Sequence, residues 1–200
     1  MLAKRYIFFA LLFFTGFGCY AQSPFQIDLK VTNRYAMVNA IEIDDMLLTF
    51  DLKGNIHFDS DNKTETDYYN KFDSDNIGKL KTIGGLKIQY YDRFDRDELH
   101  GKVKSIGDVS FTYYDIFDRS ELQGKLKSIG GVPLKYYDRF DLSELSGKLK
   151  SVGQINISYY DRFNSQSKTG HVKAVKGISP QVMVMFSDKI SDDVEISEQP

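Results

Sequence analysis

Cysteine and histidine are scarce in this 200-residue chain, which holds one cysteine, Cys19, and three histidines, His57, His100 and His171. A lone cysteine excludes an intramolecular disulfide, so packing and sheet pairing must hold the fold. The histidines show neither His-Glu-x-x-His nor a paired spacing suited to zinc, and His100 and His171 read as surface residues. Neither a Gly-x-Ser-x-Gly elbow nor a phosphate-cradling glycine loop is present. The 26 basic and 28 acidic side chains are interspersed and form no basic stripe, which argues against nucleic acid as a partner. Carboxylates are plentiful, but no irregularity marks out a glycosidase-like pair. The reading is therefore a non-enzyme with no metal and no cofactor.

The long apolar run lies at the N-terminus. Lys4 and Arg5 precede Tyr6 to Phe14, continued by Thr15 and Gly16 to Phe17, and the chain turns polar from Gln22. This is the pattern of a signal peptide over residues 1–21, too short to span a bilayer comfortably. Cys19 and Ala21 sit where a signal peptidase reads small residues, which favours cleavage after Ala21. Lipidation of Cys19 is the alternative, disfavoured by bulky Phe17 and by Gly16 in place of an aliphatic residue. The mature chain is expected to be exported, periplasmic or extracellular, without a transmembrane segment. Cleavage removes two cations and no carboxylate, taking the formal net charge from -2 to -4.

The main fact of the sequence is a repeat. Tyr-Tyr-Asp begins at Tyr90, Tyr113, Tyr136 and Tyr159, each 23 residues after the last, and Tyr68-Tyr69-Asn70 heads a copy one residue shorter. Each copy continues with a phenylalanine (Phe94, Phe117, Phe140, Phe163), a polar loop, Gly-Lys, an aliphatic residue, Lys, a small residue, Ile or Val, and Gly. The organisation expected is a degenerate repeat and cap over 22–67, tandem repeats over 68–175, a cap strand over 176–187 and an acidic, solvated tail over 188–200. Leu47-Leu48-Thr49-Phe50 and Met183-Val184-Met185-Phe186 are the cap-strand candidates.

Gly84-Gly85, Gly107-Asp108, Gly130-Gly131 and Gly153-Gln154 each separate two β-prone runs, which predicts a type II′ hairpin in every copy. Asp95 to Glu98, Asp118 to Glu121 and Asp141 to Glu144 have the spacing of capping boxes, room for one helical turn. Calcium would use the same residue types, but the nearest approach to a calcium loop, Asp59 to Asn62, lacks the glycine and terminal glutamate. The fold class expected is all-β: hairpin repeats forming an elongated antiparallel meander. A solenoid of leucine-rich-like coils is the alternative, with Leu126, Ile129, Val132, Leu134 and Tyr136 all pointing inward.

Lys135-Tyr136-Tyr137-Asp138 followed by Gly147-Lys148-Leu149-Lys150-Ser151 resembles the strands of MORN-like β-hairpin repeats, over about Tyr68 to Val175. The whole chain also looks like exported tandem-repeat proteins of Gram-negative bacteria. The MORN-like resemblance implies a scaffold or binding role and brings no catalytic residues with it.

A two-residue turn sets Ile106 opposite Val109, Lys104 opposite Phe111 and Lys102 opposite Tyr113 on the apolar side. The lysine stems would there lie over the rings. Val103 with Thr112, and Gly101 beside Tyr114, would fall on the polar side. The second tyrosines, Tyr91, Tyr114, Tyr137 and Tyr160, would thus form a ladder of uncovered rings, the candidate binding residues. Packing of these rings against Val103, Leu126 and Leu149 on a half-buried second face stays open. The functional expectation is an interaction or structural module at the cell envelope that contacts an envelope protein, with glycan binding along the tyrosine ladder as the alternative. Mass spectrometry of the exported protein is expected to find Gln22 as its first residue; a diacylated peptide starting at Cys19 would overturn this.

Overall fold

The computed structural model describes residues 25–50, 56–58, 64–73, 75–187 and 194–197; the leader, the Asp59 to Asn62 segment and most of the acidic tail lie outside them. The protein is elongated and all-β, with two sheets. The smaller contains β1 (Phe25–Val31), β2 (Ala36–Ile43), β3 (Met46–Phe50) and β4 (Ile56–Phe58). The larger begins with β5 (Thr66–Tyr68), β6 (Leu80–Ile83), β7 (Leu86–Tyr90), β8 (Val103–Ile106), β9 (Val109–Tyr113) and β10 (Leu126–Ile129). It continues through β11 (Val132–Tyr136), β12 (Leu149–Val152), β13 (Ile155–Tyr159) and β14 (Val172–Lys176). From β5 to β14 every strand is hydrogen-bonded to its sequence neighbours, and all of these pairs are antiparallel. This is the meander expected from the repeat, and the parallel coils of a solenoid are not formed.

The N-terminal flank does not lengthen the array. β1 to β4 build a separate sheet, which β15 (Val182–Phe186) joins parallel to β1, giving the order β15-β1-β2-β3-β4. Its apolar side meets the apolar side of the meander in one core, with Ile27, Leu29 and Leu48 buried alongside Ile88, Ile106, Phe111, Ile129 and Ile157. Phe50 approaches Phe111 across that core, ring centres 6.3 Å apart. The physical reason is that a single-layered meander would leave a stripe of Ile, Val and Leu in water along its whole length. The C-terminal segment also departs from a solvated tail: β16 (Glu195–Ser197) pairs parallel with β14, and Lys176 Nζ lies 2.5 Å from Glu195 Oε1.

The hairpin turns pair the expected residues, Ile106 with Val109 and Ile129 with Val132. Their geometry differs where two glycines stand together. Gly130 and Gly131 both have positive φ, 54° and 83°, which is type I′ and not the type II′ expected; glycine at both central positions removes the steric bar to it. Gly84 and Gly85 do the same.

A second departure from the expected register recurs in every repeat. Tyr90 is opposite Val103 but Gln89 is opposite Ser105, so Lys104 is an extra residue in its strand. Lys81, Lys127, Lys150 and Lys173 are extra in the same way, opposite Tyr68, Tyr113, Tyr136 and Tyr159. This bulge resets the alternation, so Val103 and Ile106, three apart, both face the core while Lys104 is exposed. The expected placement of Lys104 on the apolar side and Val103 on the polar side is thereby reversed. Thr112 is exposed on the outer face, its hydroxyl oxygen 2.7 Å from that of Ser128, whereas Val103 is buried.

Two of the first turn glycines lie against the covering sheet, Gly84 beneath Met46 and Gly130 beneath Phe25, whereas the neighbour of Gly107 is Leu86 of the meander. A Cβ on Gly130 would collide with the Phe25 ring, whereas one on Gly131 would meet nothing within 4 Å. Gly131→Ala is expected to cost about 1–2 kcal/mol from its left-handed backbone alone. Gly130→Ala should cost more, because the Phe25 ring must also shift. Denaturant unfolding of the two variants measures the difference, and equal midpoints would show that Phe25 yields at no cost.

Candidate binding surface

Each repeat leaves the sheet at its second tyrosine and returns at its Gly-Lys. Tyr91 N–H donates to Lys102 O at 2.9 Å and Gly101 N–H donates to Tyr91 O at 2.9 Å, closing the loop 92–100 at its neck. Within the loop two aspartates brace the backbone. Asp92 Oδ1 accepts from Phe94 N–H at 2.9 Å, and Asp95 Oδ2 accepts from Asp92 N–H at 3.0 Å. Asp115 with Asp118, and Asp138 with Asp141, repeat both bonds around Phe117 and Phe140. Such aspartate turns form because a short carboxylate reaches the N–H groups that a tight loop leaves unpaired. They fix the phenylalanine at the loop tip, where it has no core to enter.

The capping boxes do not form. Only Asp97–Leu99 makes a 3-10 turn, and Arg96 at its N-cap gives no side-chain cap. The carboxylates are used elsewhere: Asp95, Asp118 and Asp141 hold Lys104, Lys127 and Lys150 at 3.2, 3.1 and 3.2 Å. Glu98, Glu121 and Glu144 reach the next repeat, accepting from the N–H groups of Ile116, Arg139 and Arg162 at 3.0, 2.9 and 3.2 Å. The Arg139 N–H holds the Glu121 carboxyl below the usual carboxylate range. Arg96 and Arg119 form ion pairs with Asp115 and Asp138 of the following copy.

The second tyrosines are half-buried and covered. Lys104, Lys127 and Lys150 stand over the rings of Tyr91, Tyr114 and Tyr137 at 5.1, 5.2 and 4.8 Å. Their hydroxyls donate into the next repeat, to the carbonyls of Phe111, Leu134 and Ile157 at 2.9, 2.9 and 3.1 Å. Each ring also packs edge-on against the first tyrosine of the next repeat, at 6.1, 6.0 and 5.8 Å. Tyr160, at the array's end, lies beneath Lys168 and Lys173 instead. The uncovered rings expected from strict alternation are therefore not found, because the bulge swings the second lysine onto them. The first lysines behave as expected, with Lys102 Nζ 5.1 Å over the Tyr113 ring.

A row of phenylalanines stands at the loop tips, with no role expected for it from the sequence beyond marking the repeat. Phe72, Phe94, Phe117, Phe140 and Phe163 are 84%, 84%, 79%, 75% and 76% exposed, one per repeat. Two strand spacings separate consecutive copies, about 10 Å. Guanidinium groups flank the rings: Arg96 lies 4.6 Å over Phe117, and both Arg119 and Arg139 lie over Phe140, at 4.9 and 5.2 Å. The available signal was a strictly periodic phenylalanine inside an otherwise polar loop.

Among the described residues no group of three His, Cys, Asp or Glu side chains could hold a metal ion, and no helix is long and apolar enough to cross a membrane. No protein-family model matches the chain, and no curated protein or solved structure is significantly similar to it.

The first tyrosines supply a pH test of the packing. Burial pushes Tyr90 up to about 12 and raises Tyr113, Tyr136 and Tyr159 well above the ordinary value near 10. A folded-state value above the unfolded one favours the neutral phenol in the fold, so this stability is complete below pH ~10 and is lost as pH rises through the folded values. Absorbance titration should show these four phenols ionising only together with unfolding. Ionisation of all tyrosines near pH ~10 in a still-folded protein would contradict their burial.

Proposed function

We propose that this chain is an exported, non-enzymatic interaction module of the cell envelope, and that it docks an envelope protein along the phenylalanine row. The observation that carries this reading is the exposure of five phenylalanines at one-repeat intervals, four of them fixed there by aspartate turns and Phe72 by the equivalent Asn70 turn. Exposed apolar side chains scattered singly are ordinary, but a periodic row of aromatic rings bordered by guanidinium groups has the composition of an interface. Burying one such ring against a partner is worth about 1.5–3 kcal/mol, so several rings engaged in register suffice for specific association.

Export rests on the basic, apolar and small-residue order of residues 1–21. The MORN-like resemblance points the same way, toward a scaffold role. Glycan stacking on Tyr91, Tyr114, Tyr137 and Tyr160 is less well supported, since ammonium groups occupy the ring faces that a sugar would need.

Replacing Phe94, Phe117 and Phe140 together by Ser should leave folding stability within about 0.5 kcal/mol per site, as for other exposed positions. Co-sedimentation with isolated envelope fragments should fall at least about tenfold, since one lost ring is already worth that factor. Undiminished association of the triple variant would sink the assignment of this row.

A further inference from the structure

A crevice of about 580 Å³ opens between the covering sheet and three consecutive repeats. Ala36 and Val38 of β2 form one wall, and the Gly-Lys segments and first tyrosines form the other. Its volume is in the range of small-molecule sites. The lining has a marked charge asymmetry: it includes Lys102, Lys125 and Lys148 and not one aspartate or glutamate.

This contrasts with the second lysine of each repeat. Lys104, Lys127 and Lys150 are each matched by an aspartate. Among the described residues no carboxylate pairs with Lys102, Lys125 or Lys148; Lys125 donates to Gly147 O at 3.0 Å and Lys148 to Arg34 O at 3.2 Å, both neutral acceptors. An ammonium withdrawn from water without a counter-charge is costly, and three recur here in a chain with an excess of acid. The ring faces of Tyr113, Tyr136 and Tyr159 lie about as far below these ammoniums, at 5.1, 5.0 and 5.1 Å, and give them only partial compensation.

We propose that this crevice binds a free amphiphilic organic anion, its apolar body against the tyrosine rings and β2 and its carboxylate or phosphate on the ammonium groups of Lys102, Lys125 and Lys148. The anion supplies the counter-charge that the protein withholds, and its apolar part fills a wall of Ala, Val, Leu and Tyr side chains. Burial draws Lys125 and Lys148 below the ordinary lysine value, so a bound anion would restore their charge. This inference is independent of the phenylalanine row, which lies on the loop tips.

The test uses the full mature chain with anilinonaphthalene sulfonate as reporter and decanoate as competitor. Saturable fluorescence displaced by decanoate is expected. A Lys102→Gln, Lys125→Gln, Lys148→Gln variant should lose at least about tenfold in affinity, the effect of removing charge-assisted hydrogen bonds. A Lys104→Gln, Lys127→Gln, Lys150→Gln variant, with the same net charge, should bind as wild type does. Equal losses in both variants, or no saturable binding by wild type, would overturn the proposal. Should the first variant fail to fold, acetylation of wild type read by mass spectrometry decides: decanoate should shield Lys102, Lys125 and Lys148 and leave Lys104, Lys127 and Lys150 labelled, and uniform labelling counts against the site. Phosphatidylglycerol vesicles in the same assay separate a dissolved amphiphile from a membrane surface. Retention on vesicles without decanoate binding would also overturn it.

Discussion

One extra lysine per repeat sets the geometry of the whole array. Without the bulge at Lys104, strict alternation would send Val103 outward and bring Lys104 inward, burying a charge opposite Phe111. With it, Val103 and Ile106 both enter the core, and the same holds for Leu126 with Ile129 and Leu149 with Val152. The displaced lysine then performs two tasks at once, since Lys127 reaches the Asp118 carboxylate and covers the Tyr114 ring. A leucine there would fill no space in the core, and an alanine would uncover the tyrosine and leave the loop aspartate without its cation. Bulges usually bend a strand locally. Here, repeated at one position per copy, they define a common local frame for every loop.

Two kinds of contact then hold the copies together, and they act over different distances. Neighbour contacts are local: each second tyrosine donates to the next repeat's carbonyl, each loop glutamate takes the next repeat's N–H, and Arg96 and Arg119 pair with the next repeat's aspartate. An array held only in this way would behave as a one-dimensional chain of units, opening at any weak link. The covering sheet changes that. Its residues reach several repeats at once, with Met46 against Gly84 and Phe25 against Gly130, while Ser179, in the segment that leads into β15, lies against Gly153. Because β15 joins β1 from a distant part of the sequence, the complete five-stranded cover needs both segments in place. Long-range pairing of this kind makes unfolding more cooperative than the repeat alone would be.

The period, the hairpins and the meander were legible in the sequence because each rests on local rules: glycine pairs where positive φ is needed, β-branched residues on both arms, a fixed interval. The covering sheet was not, because Leu47 to Phe50 and Met183 to Phe186 have the same strand character as the repeat, and which sheet they join is decided by tertiary packing. The bulge was hidden for a related reason. Lys-Val-Lys-Ser-Ile fits a period-two reading in which both lysines share a face with Ile106, and only the burial of Val103 reveals the slip. The error in the tyrosine ladder followed from it, since a strand without the bulge has no lysine available to cover Tyr91 or Tyr114. Asp95 and Glu98 were read as a cap because spacing alone cannot say whether a carboxylate turns to its own helix or to a neighbouring copy.

The phenylalanines are what this architecture leaves unexplained by stability. Every other strongly periodic residue of the unit has a structural partner: tyrosines their carbonyls, aspartates their lysines, glutamates the next backbone, glycines their turns. Phe94, Phe117 and Phe140 rest only beside guanidinium groups and lie three-quarters or more in water. A loop needing only to be soluble would be better served by serine or lysine at the tip. The flanking residues are also less regular than the rings, with Ile116 where other copies have Arg93, Arg139 and Arg162, and Leu142 where two have Arg96 and Arg119. Regular rings with irregular neighbours give a surface whose spacing is fixed by the sheet and whose charge pattern differs from copy to copy, so a partner that follows the row can be held in one register and not slide by one repeat.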